Sequence, residues 1–175
     1  KSLAESVSFH LAHLLESTST PALLLREIFL DILQQKPEVL EQLCCDMEAY
    51  YERDAACDHY LMPLLYFKGF HALQAYRIAH WLWQQERRPL ALFLQNRMSC
   101  EFGVDIHPAA RIGRGILLDH ATGVVIGETA VVGNNVSIMQ SVTLGGTGKE
   151  TGDRHPKVAD GVLIGAGAKV LGNIH

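Results

Sequence analysis

The sequence predicts an α+β chain with two parts. An N-terminal all-helical domain occupies residues 1–102, and a left-handed parallel β-helix of hexapeptide repeats occupies 103–175. Two observations carry this. Up to about residue 102 the apolar residues recur three and four apart, the spacing of one helix face. From Gly103 onward Gly, Val, Ile and Ala dominate, and aliphatic residues recur six apart, a period of neither helix nor hairpin.

The helical runs come in order. Thr20 and Pro21 read as a cap and a first helical position, ahead of Leu24, Leu25, Ile28, Phe29 and Ile32. Pro37 opens a second run through Val39, Leu40, Leu43 and Met47. A third follows Pro63, with Phe70, Leu73, Tyr76 and Trp83, and a fourth follows Pro89, with Leu90, Phe93, Leu94 and Met98. Such stripes face a core rather than a cofactor.

In the second half the repeated aliphatic positions are Ile106, Ile112, Leu118, Ile126, Val132, Ile138, Leu144, Ile164 and Val170. A second apolar residue stands two places before each, and glycine often follows, as at Gly113, Gly127, Gly133, Gly145 and Gly165. Each hexad makes one short strand and a turn, and three hexads make a triangular coil that stacks at about 4.8 Å. An ordinary glycine-rich sheet is the competing reading; nine repeats in phase oppose it.

Two steps break the period. Between Leu118 and Ile126 the step is eight, which displaces residues 119–123. Between Leu144 and Ile164 it is twenty, so an extended loop over about 146–161 is expected to leave the prism. Insertions in a repeat scaffold are where specific chemistry concentrates.

Bulk properties exclude several classes. The chain has 175 residues, 48% hydrophobic, and a net charge of −4 without a dense Lys/Arg run, which argues against binding nucleic acid. Cys44, Cys45, Cys57 and Cys100 follow no metal or redox spacing and read as free thiols. No apolar run reaches the roughly 18 residues that span a membrane, and no signal-peptide pattern opens the chain. A cytoplasmic protein without membrane contact is expected. Because the sequence begins at Lys1 and stops at His175 within a repeat, it reads as part of a longer chain.

His120 is the sharpest chemical candidate. It follows Asp119 at the first irregularity, near the corner between the third and first faces of the prism, with Asp105 near the same corner one coil away. A carboxylate–histidine pair suits deprotonation of a hydroxyl; a surface turn histidine is the alternative. Arg154 and His155 lie in the long loop, where Arg can hold a carboxylate bidentately, or where both are simply solvated. Residues 145–150 imitate a phosphate-binding loop but carry Glu150 in place of Ser/Thr and have no helix after them. His10 and His13 share a helix face without a third ligand, and no metal is expected.

At these residues the chain closely resembles the bacterial serine acetyltransferase family. The matching segments are 63–77 (PLLYFKGFHALQAYR), 104–110 (VDIHPAA), 119–123 (DHATG), 140–149 (QSVTLGGTGK) and 152–157 (GDRHPK). The resemblance covers almost the whole chain and implies acetyl transfer from acetyl-CoA to the hydroxyl of L-serine, in cysteine biosynthesis. It implies His120 as general base with Asp105 holding it, Asp54 and Asp119 on the serine ammonium, and Arg154 and His155 on its carboxylate and surroundings. It also implies coenzyme A in a groove between neighbouring β-helices, near Gly146, Thr147, Ala166 and Gly167. As partners it implies a homotrimer or a dimer of trimers, L-cysteine as feedback inhibitor, and O-acetylserine sulfhydrylase docked through a C-terminal tail absent here.

Three rivals are weighed. A hexapeptide O-acetyltransferase for a sugar or other hydroxyl acceptor would use the same base, but the helical half and Asp54 argue against it. A zinc lyase on a β-helix needs three converging histidines, two of them five apart, which His107, His120, His155 and His175 do not supply. A non-catalytic scaffold would consume no acetyl-CoA.

Overall fold

A computed structural model of the protein describes residues 2–148 and 151–175. Six helices come first: α1 (Leu3–Leu15), α2 (Ala22–Gln35), α3 (Pro37–Arg53), α4 (Met62–Tyr66), α5 (Lys68–Gln84) and α6 (Arg88–Phe102). A capping box starts α1, with Glu5 N–H donating to Ser2 Oγ at 3.2 Å and Ser2 N–H to Glu5 Oε2 at 2.7 Å. Pro21, not Thr20, holds the N-cap position of α2, because Thr20 is drawn into a bridge with Ser17. α5 is buried along nearly every side from Gly69 to Ala79 and forms the centre of the helical half.

Ten strands follow: β1 (Asp105–Ile106), β2 (Arg111–Ile112), β3 (Leu117–Leu118), β4 (Val125–Ile126), β5 (Val131–Val132), β6 (Ser137–Ile138), β7 (Thr143–Gly145), β8 (Lys157–Val158), β9 (Leu163–Ile164) and β10 (Lys169–Leu171). They form three parallel sheets, β1-β4-β7-β10, β2-β5-β8 and β3-β6-β9, the three faces of a left-handed β-helix. The registers pair Ile106 with Ile126, Ile112 with Val132 and Leu118 with Ile138, so hexad aliphatics stack in the interior. Their partners two places earlier, Val104, Ala110, Ile116 and Val124, are equally buried. The long insertion is shorter than the sequence reading. Lys157–Val158 rejoins the prism as β8, opposite Val131–Val132, and its place in the period is masked by Pro156, which stands two places before Val158 where Val, Ala or Ile usually does.

β1 ends its sheet, so the first coil has an outer edge without a strand beside it. Bare strand edges recruit other chains unless covered. Here the helices cover it with side chains. His80 Nδ1 meets the Pro108 carbonyl at 2.7 Å, and Tyr76 donates to the Ala110 carbonyl. Arg77 donates to the Gly113 carbonyl at 2.8 Å, Arg53 to that of Gly115, and Asp46 accepts the Ile116 N–H at 2.9 Å. Tyr50 both donates to the Leu118 carbonyl at 2.8 Å and accepts its N–H at 3.2 Å. Asp46 and Arg77 form a fully enclosed ion pair at 2.8 Å within this seam.

Candidate active site

The turn between β3 and β4 is unusual backbone. His120 (φ 55°) and Ala121 (φ 62°) are consecutive non-glycine residues in the left-handed region. Each such residue costs on the order of 1–2 kcal/mol, so the turn persists only if its surroundings impose it. Tyr50 grips Leu118 just before the turn. Gly69 of α5 presses against it from above: a Cβ there would stand 2.1 Å from the Leu118 carbonyl oxygen and 3.0 Å from the Ala121 Cβ. Only glycine allows that approach.

Beside this turn is a cleft of about 360 Å³ whose walls include Tyr50, Asp54, Lys68, Asp119 and His120. Asp54 ends α3 and accepts the Ala56 N–H at 2.9 Å. The His120 imidazole is largely exposed, with Nε2 3.6 Å from Asp119 Oδ1. Lys68 reaches the Thr122 hydroxyl on the same turn. Asp54, far from Asp119 and His120 in sequence, thus shares one cavity with them. Asp105 lies on β1, and its carboxylate accepts a hydrogen bond from Gln95 Nε2 at 2.7 Å; among the described residues none joins it to His120.

The loop residues gather at another corner. Arg154 donates to Glu128 Oε2 at 2.6 Å, and this bond holds the Glu128 carboxyl below the usual carboxylate range. His155 is buried against Gly127 and Thr129, with Nδ1 2.8 Å from Thr129 Oγ1. Burial, reinforced by the neighbouring Arg154 cation, pushes its pKa down. The nearby His107 is also pushed down by burial and meets Trp83 edge to face.

The positions named from sequence therefore divide between two corners. Asp119 and His120 (after β3) and Ala166 and Gly167 (after β9) stand where the β3-β6-β9 sheet turns into the β1-β4-β7-β10 sheet. Gly146 and Thr147 (after β7), with Arg154 and His155, stand where the latter turns into the β2-β5-β8 sheet. Five or six residues of extended chain, at about 3.3 Å each, put the corners on the order of 15–20 Å apart. A small amino acid cannot touch both corners of one chain. Lys149 and Glu150, the end of the phosphate-loop imitation, lie outside the described residues. Among the described residues no cluster of three His, Cys, Asp or Glu is placed to hold a metal ion, and no helix is long and apolar enough to cross a membrane.

Sequence reasoning missed Tyr50, Gly69, Gln95, Glu128 and Thr129. A glycine inside an otherwise helical run, as at Gly69, is a signal of close backbone approach. The others carry no local mark, because their partners lie 10 to 68 residues away in sequence.

Fold and cleft together define a hexapeptide-repeat β-helix protein with a helical cap. The family profile described as serine acetyltransferase, N-terminal, matches residues 1–75. The serine acetyltransferase of Escherichia coli K12 is 61% identical over 174 residues, covering 99% of this chain and 64% of the relative. Among solved structures, the Neisseria gonorrhoeae serine acetyltransferase in complex with serine superposes with a TM-score of 0.96 at 57% identity, covering 99% of this chain and 71% of that one. A serine acetyltransferase in complex with cysteine gives 0.97 at 57% identity, covering 99% and 72%. The chain belongs to the serine acetyltransferase family. It spans somewhat less than two thirds of the length of the E. coli relative.

Proposed function

We propose that this protein transfers the acetyl group of acetyl-CoA to the hydroxyl of L-serine, giving O-acetylserine for cysteine biosynthesis. The observation that carries the reading is the cleft in which two carboxylates, Asp54 and Asp119, flank the exposed imidazole of His120. An acceptor with an ammonium group beside a hydroxyl fits that set; a neutral sugar offers the two carboxylates no charge of its own.

In this reading Asp54 and Asp119 hold the serine ammonium, and His120 takes the hydroxyl proton as the oxygen attacks the thioester carbonyl. The tetrahedral intermediate collapses with loss of coenzyme A, whose sulfur recovers the proton from the imidazolium. No acyl-enzyme is required. Asp105 is assigned to orient the imidazole, exchanging its bond to Gln95 for one to His120. Arg154 and His155 are assigned to the serine carboxylate, and Gly146, Thr147, Ala166 and Gly167 to coenzyme A. No metal is required.

The division between two corners supports a homotrimer, or a dimer of trimers, in which the His120 corner of one copy faces the His155 corner of the next. The coenzyme A residues divide the same way, which suits a groove between copies. L-Cysteine, with the same ammonium and carboxylate, would occupy the serine site as an inhibitor. Docking to O-acetylserine sulfhydrylase is assigned to a tail outside residues 1–175, and a cytoplasmic setting accords with both metabolites.

The test is thiol release from acetyl-CoA with L-serine and a panel of sugars as acceptors. Serine-dependent release, suppressed by cysteine, supports the reading. Release with a sugar and none with serine replaces it with the sugar acetyltransferase.

A further inference from the structure

The two histidines of the proposed site are held differently, and the difference limits what His155 can do. His155 Nδ1 accepts the Thr129 main-chain N–H at 3.2 Å and lies 2.8 Å from the Thr129 hydroxyl oxygen. That oxygen also accepts two N–H groups, from Arg154 at 3.0 Å and from His155 at 3.1 Å. A hydroxyl has two lone pairs and one proton. With both lone pairs engaged, its proton is left to donate, to Nδ1 or to the Asp153 carboxylate, whose pKa it helps to lower. Nδ1 accepts the Thr129 main-chain N–H in either case, so a neutral ring must carry its own proton on Nε2. Nε2 makes no hydrogen bond among the described residues. Burial favours the neutral ring.

We propose that Thr129 is a positioning residue that fixes His155 as the Nε2–H tautomer, so that this ring can only donate a hydrogen bond to an anionic oxygen of the acceptor, its carboxylate. The proposal rests on the reading of His155 as a substrate contact. It also separates the roles of the two rings. The lone pair of His155 is turned inward to Thr129, so no proton can be abstracted at Nε2. His120, exposed in its cleft, is left as the base.

The tautomer can be read directly by nitrogen-15 solid-state NMR of the histidine-labelled assembly, with the His155 resonances identified by their loss in His155→Asn. The wild type is expected to show unprotonated Nδ1 and protonated Nε2. Thr129→Val, which keeps the main-chain N–H facing Nδ1 but removes the hydroxyl, should shift the Nδ1 resonance as that nitrogen loses its 2.8 Å neighbour, and Thr129→Ser should restore the wild-type pattern. In kinetics, Thr129→Val should raise the serine KM by about tenfold, the equivalent of one hydrogen bond, while kcat changes much less. A wild-type ring protonated on Nδ1, or a Thr129→Val spectrum identical to wild type, overturns the proposal. The wild-type spectrum decides this even if Thr129→Val fails to fold. If wild type turns over no serine, the functional reading fails and the Thr129 spectra still stand as their own test.

Discussion

His155 stands so close to Gly127 that a Cβ on Gly127 would fall 2.0 Å from its Nε2 and 2.1 Å from its Cδ2. The demand on Gly127 is for space, since its φ lies outside the left-handed region. Gly127→Ala should therefore drive the imidazole from its seat without straining the main chain. The expected outcome is a serine KM raised at least about tenfold, with a far-ultraviolet circular dichroism spectrum like that of wild type. An unchanged KM would show that the ring's place does not matter to the acceptor.

Loss of the proposed base should act on a different parameter. His120→Ala is expected to lower kcat by roughly 10²–10⁴-fold, the usual range for a general base, and to leave the assembly intact by size-exclusion chromatography. Asp105→Ala should lower kcat by a smaller factor. Turnover by His120→Ala equal to wild type would remove His120 from the mechanism.

The seam between the two halves makes a stability prediction. Asp46 and Arg77 are both enclosed, and Asp46 also accepts hydrogen bonds from Gln74 and the Ile116 N–H. Asp46→Ala strands the guanidinium and should cost about 3–5 kcal/mol in urea unfolding. Replacing both with apolar residues of similar volume should recover part of that loss. A fall under about 1 kcal/mol for the single variant would mean that the pair is solvated.

His71 makes the fold sensitive to acid. Burial lowers its pKa from 6.5 to about 4, and Nε2 stays bonded to the Leu64 carbonyl at 2.7 Å. Between these values the unfolded chain binds a proton that the native chain refuses, so stability is lost as pH falls from about 6.5 to about 4. This ring alone accounts for roughly 3 kcal/mol over that window. Urea midpoints measured across it should decline, and His71→Gln should flatten the decline. His10, His80, His107 and His155 are shifted in the same direction, each chiefly by burial, so some slope will remain.

Much of this architecture was legible from period alone. Ile106, Ile112 and Leu118 announce three faces because a β-helix interior admits only a narrow range of side-chain sizes at a fixed interval. The irregular step after Leu118 marked the turn that carries His120. What period cannot report is the long-range polar seam: nothing near Tyr50 or Asp46 in sequence says that each will meet the edge of a coil about 70 residues on. The division of the named residues between two corners was likewise hidden, because it follows from which face each strand joins. Val158 is hidden because Pro156 takes the apolar place two before it, which makes the long loop read several residues too far.

In the proposed enzyme one catalytic site draws on the His120 corner of one copy and the His155 corner of another. Two variants, His120→Ala and Arg154→Ala, each carry one damaged corner and should each be nearly inactive alone. Unfolded together and refolded as mixed assemblies, they should regain serine-dependent thiol release, because some interfaces then join two intact corners. Mixed assemblies no more active than either variant alone, under conditions where wild type refolds to full activity, would contradict the claim and return the whole site to a single chain.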